Sequence, residues 1–388
     1  MFQSSRRMQD RKLFVLAGEV SGDLHASEVI KVVQTQCDGL KVFGTGGRML
    51  RALGVELLYD VGDLSVMGFV EVVKQAFLLR KVIRDLKDAI EREKPDAALL
   101  VDYPGMNLVM AEYLHHLGIP VIYYISPKVW AWKEGRVRKI REYVDHLMVI
   151  FDFEEEFYRR HGITADFVGN PVVEEIARLQ LPPKEEFLRE HGIGERRKII
   201  GLLPGSRKQE IAFVCPEILR AAKKLREKYG AVFLMGRAPH VDHRLYDSCS
   251  KAAGIPFVDC SAYEVMRYSD LLLVTSGTAT LEALCFGTPM IVLYKTGWLN
   301  YAIGKRLVRL HSISLANLVA NGLYVRERTV PELLQHEMKA ERIVDEVSRL
   351  LDDAAAFRKM GQELLAAREK LGAASPSKKV ASVLNRYL

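Results

Sequence analysis

The chain has 388 residues, 49% of them hydrophobic and 27% charged, which excludes a disordered, collagen-like or disulfide-scaffold protein and allows two or three packed domains. The 56 Lys and Arg against 49 Asp and Glu give a net charge of +7 and a pI near 9.0. That excess suits anionic partners such as nucleotides, phosphorylated sugars or an acidic membrane surface, and is too small to mark a nucleic-acid binder.

Short apolar runs alternate with helical patterns. Leu13–Ala17, Val42–Phe43, Ala97–Val101, Val121–Ile125, His146–Ile150 and Asp166–Val168 read as strands, with helices notably over Val70–Glu93 and Met106–Leu117. A second series follows in Lys198–Leu203, Val232–Met235, Phe257–Val258, Leu271–Val274 and Met290–Leu293, with helices over Lys208–Tyr229 and Thr278–Phe286. After Gly297 the strand signal stops and the remainder reads as helical. This alternation predicts an α/β protein of two Rossmann-like domains facing a cleft, with a helical C-terminal tail. The division expected is 1–175, 176–340 and a tail over 341–388 that packs on either domain or on a neighbouring subunit, with a hinge near 172–197. Open parallel sheets bind ligands at the carboxyl ends of their strands, so the cleft is the expected site.

Cys37, Cys215, Cys249, Cys260 and Cys285 include no C-x-x-C pair, so neither a zinc knuckle nor a disulfide framework is supported and a reduced, cytoplasmic setting fits. Met1–Lys12 is polar and basic, Leu13–Ala17 is too short for a signal-peptide core, and no run is long enough to span a bilayer.

Four motifs follow predicted strands. In Ala17-Gly18-Glu19-Val20-Ser21-Gly22-Asp23-Leu24-His25, Gly18 and Gly22 permit close backbone approach, and Ser21 or Asp23 can cap the next helix. The spacing is not G-x-G-x-x-G, and an ordinary strand-to-helix turn explains it equally well. Asp102, in Val101-Asp102-Tyr103-Pro104-Gly105-Met106-Asn107, ends an apolar strand where a carboxylate can accept a proton from a sugar hydroxyl; the alternative is an Asp opening a Pro-Gly turn. In Leu203-Pro204-Gly205-Ser206-Arg207-Lys208-Gln209-Glu210, turn N–H groups and a guanidinium suit a diphosphate; the alternative is a capped helix start with Arg207 and Lys208 solvated. Ser276-Gly277-Thr278 opens a helix whose N–H groups favour an anion, and Glu282, one turn on, is placed for a ribose or is a solvated helix carboxylate.

No metal is indicated. Asp152-Phe153-Glu154, the nearest approach to a D-x-D pair, reads as the acidic first turn of a helix, and His240 and His243 lack a third ligand. Val72, Ala76, Leu79, Ile83, Leu86 and Ile90 form an apolar stripe widened by Phe77 and Leu78 and ringed by basic residues, read either as a membrane-surface helix or as a core helix. Trp298, Tyr301, Lys305, Arg306 and Arg309 carry the same ambiguity.

Several blocks, taken together and in order, make the chain resemble the lipid-A-disaccharide synthases, bacterial inverting glycosyltransferases of the GT-B class, from about Leu13 to Leu334. They are Ala17–Asp23, Leu64-Ser65-Val66-Met67-Gly68, Ser126-Pro127-Lys128-Val129-Trp130-Ala131-Trp132, Leu203–Arg207, Ser276–Glu282 and Ser314-Leu315-Ala316-Asn317-Leu318. The Ser-Pro-x-Val-Trp-Ala-Trp block is the specific one. The chain departs from the family pattern at Gly105, which removes a second carboxylate beside Asp102, at Asn170, where His is common, and at Ala316, where Pro is common.

The resemblance implies transfer from UDP-2,3-diacylglucosamine to 2,3-diacylglucosamine 1-phosphate, without cofactor or metal. Asp102 and Arg207 are then the expected catalytic residues. Glu19, Ser21, Gly22, Asn107, Gly205, Ser206, Ser276, Gly277, Thr278, Glu282 and Asn317 are the expected substrate-binding residues. It also implies a peripheral place on the inner face of the cytoplasmic membrane and a homodimer. The rivals are a UDP-N-acetylglucosamine 2-epimerase, a muramyl-lipid glucosaminyltransferase, and a degenerate UDP- or lipid-binding protein.

Overall fold

The computed structural model describes residues 11–64, 71–132, 134–238, 241–242, 244–246, 254–298, 301, 306, 310–373 and 375–388, with the backbone alone at 63–64 and 71–77. The chain divides into two compact units, Met1–Pro171 with Ala373–Leu388, and Val172–Gly372. As the alternating pattern predicts, each unit is built on a parallel sheet.

The first sheet comprises β1 (Lys12–Ala17), β2 (Lys41–Gly46), β3 (Glu56–Asp60), β4 (Ala97–Val101), β5 (Val121–Tyr124), β6 (His146–Val149) and β7 (Ala165–Phe167), in the order β3-β2-β1-β4-β5-β6-β7. In β1 every residue after Lys12 is buried, and in β4 all are, which explains their unbroken apolar runs: helices cover both faces. The second sheet comprises β8 (Ile199–Leu203), β9 (Val232–Gly236), β10 (Val258–Cys260), β11 (Leu271–Thr275), β12 (Met290–Tyr294) and β13 (Glu332–Leu334), in the order β10-β9-β8-β11-β12-β13. In each sheet the order reverses once, between β1 and β4 and between β8 and β11. These are the switch points where open parallel sheets leave a crevice for ligands.

Two expectations need correction. The chain after Gly297 is not wholly helical, because β13 adds an edge strand, and β3 is a strand that the alternating series left out. Both are three to five residues long and lie at sheet edges; β3 sets Leu57, Leu58 and Tyr59 between two acids and is exposed or half-buried throughout, so it shows neither the long apolar run of a central strand nor strict alternation. Helices Ala340–Asp352 and Ala354–Glu369 belong to the second unit. The last helix, Pro376–Leu384, returns to the first unit and packs on Val20–Gln34.

In the helix Glu71–Glu93, Val82, Leu86, Ala89 and Ile90 are buried whereas Leu78 is 36% exposed. Its described half is thus a core helix; Phe77's side chain and the Ser65–Gly68 part of the family block lie outside the described residues, as do His240 and His243. Among the described residues no helix is long and apolar enough to cross a membrane.

Candidate active site

The first switch point gathers Gly18 and Glu19 after β1 and Asp102 and Tyr103 after β4. Asp102 (φ 48°) and Tyr103 (φ 38°) are consecutive non-glycine residues in left-handed conformation, and Ile125 (φ 62°) repeats it after β5. Each such residue costs about 1–3 kcal/mol and persists only where its surroundings over-determine it. Here they do. The Asp102 N–H donates to the Tyr124 carbonyl (3.0 Å), and its own carbonyl accepts from Asn107 Nδ2 (2.6 Å) and the Tyr123 hydroxyl (2.6 Å). Asn107 Nδ2 also donates to the Val101 carbonyl at 3.1 Å. Asn107 is therefore fully buried and acts on the Asp102 backbone; it does not face solvent.

The Asp102 side chain is half-buried, and burial pushes its carboxyl above the ordinary range; Lys128 pulls it down and Glu19 pushes it up. A carboxylate with a raised pKa is a stronger base at neutral pH than a free one. Glu19 and Ser21 are exposed here. Gly18 has a steric reason: a Cβ there would stand 2.2 Å from Tyr103 Cδ1, so the ring lies over the turn only because the residue is glycine. Gly22 is buried, with Ala17 Cβ 3.5 Å from where its Cβ would be, and serves the packing of helix on sheet. The capping expectation is corrected. The helix starts at Val20, and the buried Asp23 carboxylate instead accepts from Gly47 (2.7 Å), Met49 (3.0 Å) and Leu50 (3.2 Å) N–H at the start of the helix Arg48–Ala52.

The Ser126–Trp132 block follows β5. Trp130 is buried and its indole N–H donates to Glu154 Oε1 (2.9 Å), which also accepts from the Ser126 hydroxyl (3.1 Å); Glu154 Oε2 accepts from the Ile150 (3.1 Å) and Phe151 (3.0 Å) N–H groups. Glu154 is thus no solvated first-turn carboxylate, as its place in Asp152-Phe153-Glu154 suggests. It is a buried anchor whose pKa burial raises while these four donors lower it. Phe151 and Phe153 stack at 5.2 Å, and both meet Trp130 edge-on. Trp132, by contrast, is 45% exposed.

At the second switch point, Pro204–Arg207 follows β8 and Ser276–Thr278 follows β11; the Thr275 hydroxyl ties the two strand ends through the Leu203 carbonyl (3.1 Å). Gly205 has φ +118°, a conformation that favours glycine, and its carbonyl accepts from the buried Tyr246 hydroxyl (3.1 Å). Arg207 precedes the helix Lys208–Tyr229, and its side chain is 75% exposed. Gly277 and Thr278 are exposed at the start of Ala279–Phe286. Glu282 is half-buried, and its carboxyl is pushed up to about 7, first by burial and then by the Glu175 carboxylate, against a hydrogen bond from Tyr263. The single Tyr263 O–H is shared between Glu282 and Glu175, whose Oε2 lies 3.4 Å away, so one phenol stands between two carboxyls.

Asn317 is not at the surface of this site. It is buried, donates to the Val330 carbonyl (2.9 Å) and Glu332 Oε1 (3.0 Å), and accepts from the Val330 N–H (2.9 Å). Glu332 also takes the Ser312 hydroxyl and the Ile313 and Ser314 N–H groups. The Ser276 hydroxyl then donates to the Ile313 carbonyl (3.0 Å). The Ser314–Leu318 block therefore braces the loop that holds Ser276. Tyr123 and Glu332 carry no motif signal, whereas Lys128, Glu154 and Glu210 stand inside sequence blocks that give no hint of these contacts.

Among the described residues no group of three His, Cys, Asp or Glu stands placed to hold a metal ion.

Comparison with known proteins bears on this arrangement. Solved structures with the same fold include a UDP-N-acetylglucosamine 2-epimerase from Neisseria meningitidis bound to UDP-GlcNAc (TM-score 0.64, 16% identity, 97% of this chain and 100% of that one). MurG from Acinetobacter baumannii is another (TM-score 0.59, 12% identity, 97% and 99%). At these identities they speak for the two-Rossmann GT-B fold alone. Sequence comparison goes further. The family model described as lipid-A-disaccharide synthetase matches residues 13–384. The lipid-A-disaccharide synthase of Geobacter metallireducens is 39% identical over 382 residues, covering 98% of both chains, and that of Myxococcus xanthus is 40% identical over 365 residues, covering 93% of both. The chain therefore belongs to the lipid-A-disaccharide synthase family, and with it to the glycosyltransferases of lipid A biosynthesis.

Proposed function

We propose that the chain joins UDP-2,3-diacylglucosamine to 2,3-diacylglucosamine 1-phosphate, giving the β-1,6-linked disaccharide 1-phosphate and UDP. Asp102 accepts the proton of the acceptor's 6-hydroxyl as that oxygen attacks the anomeric carbon. The bond from that carbon to the diphosphate oxygen breaks with inversion, and UDP carries the electron pair away. The observation behind this reading is Asp102 itself: a carboxyl of raised pKa, held in a strained backbone at the carboxyl edge of the switch point. Asn107 and Tyr123 position it by holding its carbonyl.

In the second unit, Arg207 and the turn Gly205–Ser206, with the helix start Ser276–Gly277–Thr278, stabilise the departing diphosphate in place of a metal. Glu282 holds the ribose. Glu19 and Ser21 border the sugar site, Gly22 seats their helix against the sheet, and Asn317 braces the nucleotide site from within.

The acyl chains favour a working position on the inner face of the cytoplasmic membrane, since each buried methylene is worth about 0.8 kcal/mol. Trp298, 81% exposed, with Arg306 exposed nearby in sequence, supports a surface association that salt weakens. The functional form is a homodimer.

The test is disaccharide formation and UDP release from the two diacylated substrates, in a chelator, by the native chain and by Asp102→Ala. Turnover that falls about 10²- to 10⁴-fold in the variant, with UDP still bound, is the expected result. Equal turnover in both removes Asp102 as the base. No disaccharide from a folded, UDP-binding native chain leaves a binding protein in place of an enzyme.

A further inference from the structure

The turn Pro204–Arg207 already holds a carboxylate. Glu210, one helical turn into Lys208–Tyr229, folds back: its Oε2 accepts the Ser206 N–H (3.2 Å) and its Oε1 meets Arg207 Nη1 (3.3 Å). The fit is close. A Cβ at Gly205 would stand 2.7 Å from Glu210 Cβ and 2.8 Å from Oε2, so the glycine is what lets the carboxylate lie on the turn. Glu210 is 18% exposed at its side chain while Arg207 is 75% exposed, so the acid is the settled partner and the guanidinium the open one. An N–H at a helix start and a guanidinium are the donors that a diphosphate takes.

We propose that Glu210 is an internal competitor for the diphosphate cradle, occupying the Ser206 N–H and Arg207 and yielding both when a nucleoside diphosphate binds. The inference rests on the reading of this turn as the diphosphate site. Two consequences follow from the charge. The ligand must displace an anion to dock, which weakens its binding, and the carboxylate's return to the same donors helps UDP leave after transfer. The plainer alternative is a helix cap: a Glu early in the helix reaching back to stabilise the first turn. The two differ in sign, because removing a cap loosens the cradle, whereas removing a competitor opens it to the ligand.

The experiment is calorimetric titration of the full-length chain with UDP and, separately, uridine, for native protein, Glu210→Gln and Glu210→Ala, with thermal unfolding to establish that each variant is folded. The proposal expects both variants to bind UDP roughly 3- to 10-fold more tightly than native, with uridine affinity unchanged. In steady state the KM for the UDP-sugar falls and UDP inhibits more strongly. Native binding of UDP with equal or weaker binding by the folded variants overturns the proposal and leaves the cap. A shift of the same size for uridine also overturns it, since the effect then lies away from the phosphates. Absence of UDP binding by all three proteins overturns the diphosphate reading itself, a result distinct from the others.

Discussion

Asp102 illustrates how one residue's chemistry depends on groups that the sequence scatters. Its carboxyl lies above the ordinary range through burial, with Lys128 and Glu19 pulling in opposite directions. On the proposed mechanism, activity falls as pH drops through that raised pKa, because the base is then protonated. Removing the opposing cation in Lys128→Met raises the pKa further, so the acidic limb of the kcat/KM profile should move to higher pH; an unmoved limb separates Lys128 from the base. Glu282, near 7, titrates in the working range. Only its ionised form accepts two ribose hydroxyls, so UDP affinity should rise from pH 6 to pH 8, and Glu282→Gln should flatten that rise. The stability effect has the opposite sign. A folded-state pKa raised above the unfolded value means that Glu282's contribution is fully present below about 4.5 and is lost as pH rises through about 7. Melting curves of Glu282→Gln against native should therefore diverge in the variant's favour at pH 8 and converge at pH 4.

At the scale of elements, two buried glutamates hold the loops on which the family's blocks sit. Glu154 takes four donors from two segments, 126–130 and 150–151, and Glu332 takes four from the segment 312–317. Replacing either by Leu strands those donors in the interior, at an expected cost of about 3–5 kcal/mol measured by denaturant unfolding. The functional consequences differ. Glu332→Leu loosens the Ile313 carbonyl that Ser276 grips and should weaken UDP binding, whereas Glu154→Leu should leave UDP binding intact while lowering transfer, because it acts in the first unit. Much of this scale was legible in advance. Central strands β1, β4, β8 and β11 are continuous apolar runs because both of their faces are covered. Their ends gave the site motifs for the same reason: polar residues after such a run can only stand at the sheet's edge. Edge strands β3 and β13 were missed: each opens on a glutamate, Glu56 or Glu332, followed by only two or three apolar residues.

At the scale of the whole molecule, the chain crosses between units twice, and its last segment completes the first unit's core. Val380, Ala381, Val383 and Leu384 are buried with Ala26, Val29, Ile30 and Val33 in one apolar cluster. Full burial of a Val or Leu is worth about 1.5–3 kcal/mol, so deleting residues 373–388 should cost the first unit several kcal/mol while leaving the second unit's own core intact. Calorimetry should show the transition of the first unit moved to lower temperature, with UDP binding retained; a single unshifted transition would mean that the tail is dispensable to the core.

The sequence by itself determined the class of fold, the two series of parallel strands, and the segments that end at the carboxyl edges of β1, β4, β8 and β11. Those follow from local periodicity and from turn chemistry, which neighbouring residues carry. Only the tertiary structure decided which residues of each motif face outward. Asn107 and Asn317 stand in site motifs yet are buried braces, Asp23 caps a helix that begins 25 residues later, and Glu154 leaves the helix surface for the core. The physical reason is the same in each case. A polar side chain near a strand end is drawn to whatever unpaired N–H, hydroxyl or carbonyl the fold buries beside it, and those groups come from segments distant in the chain.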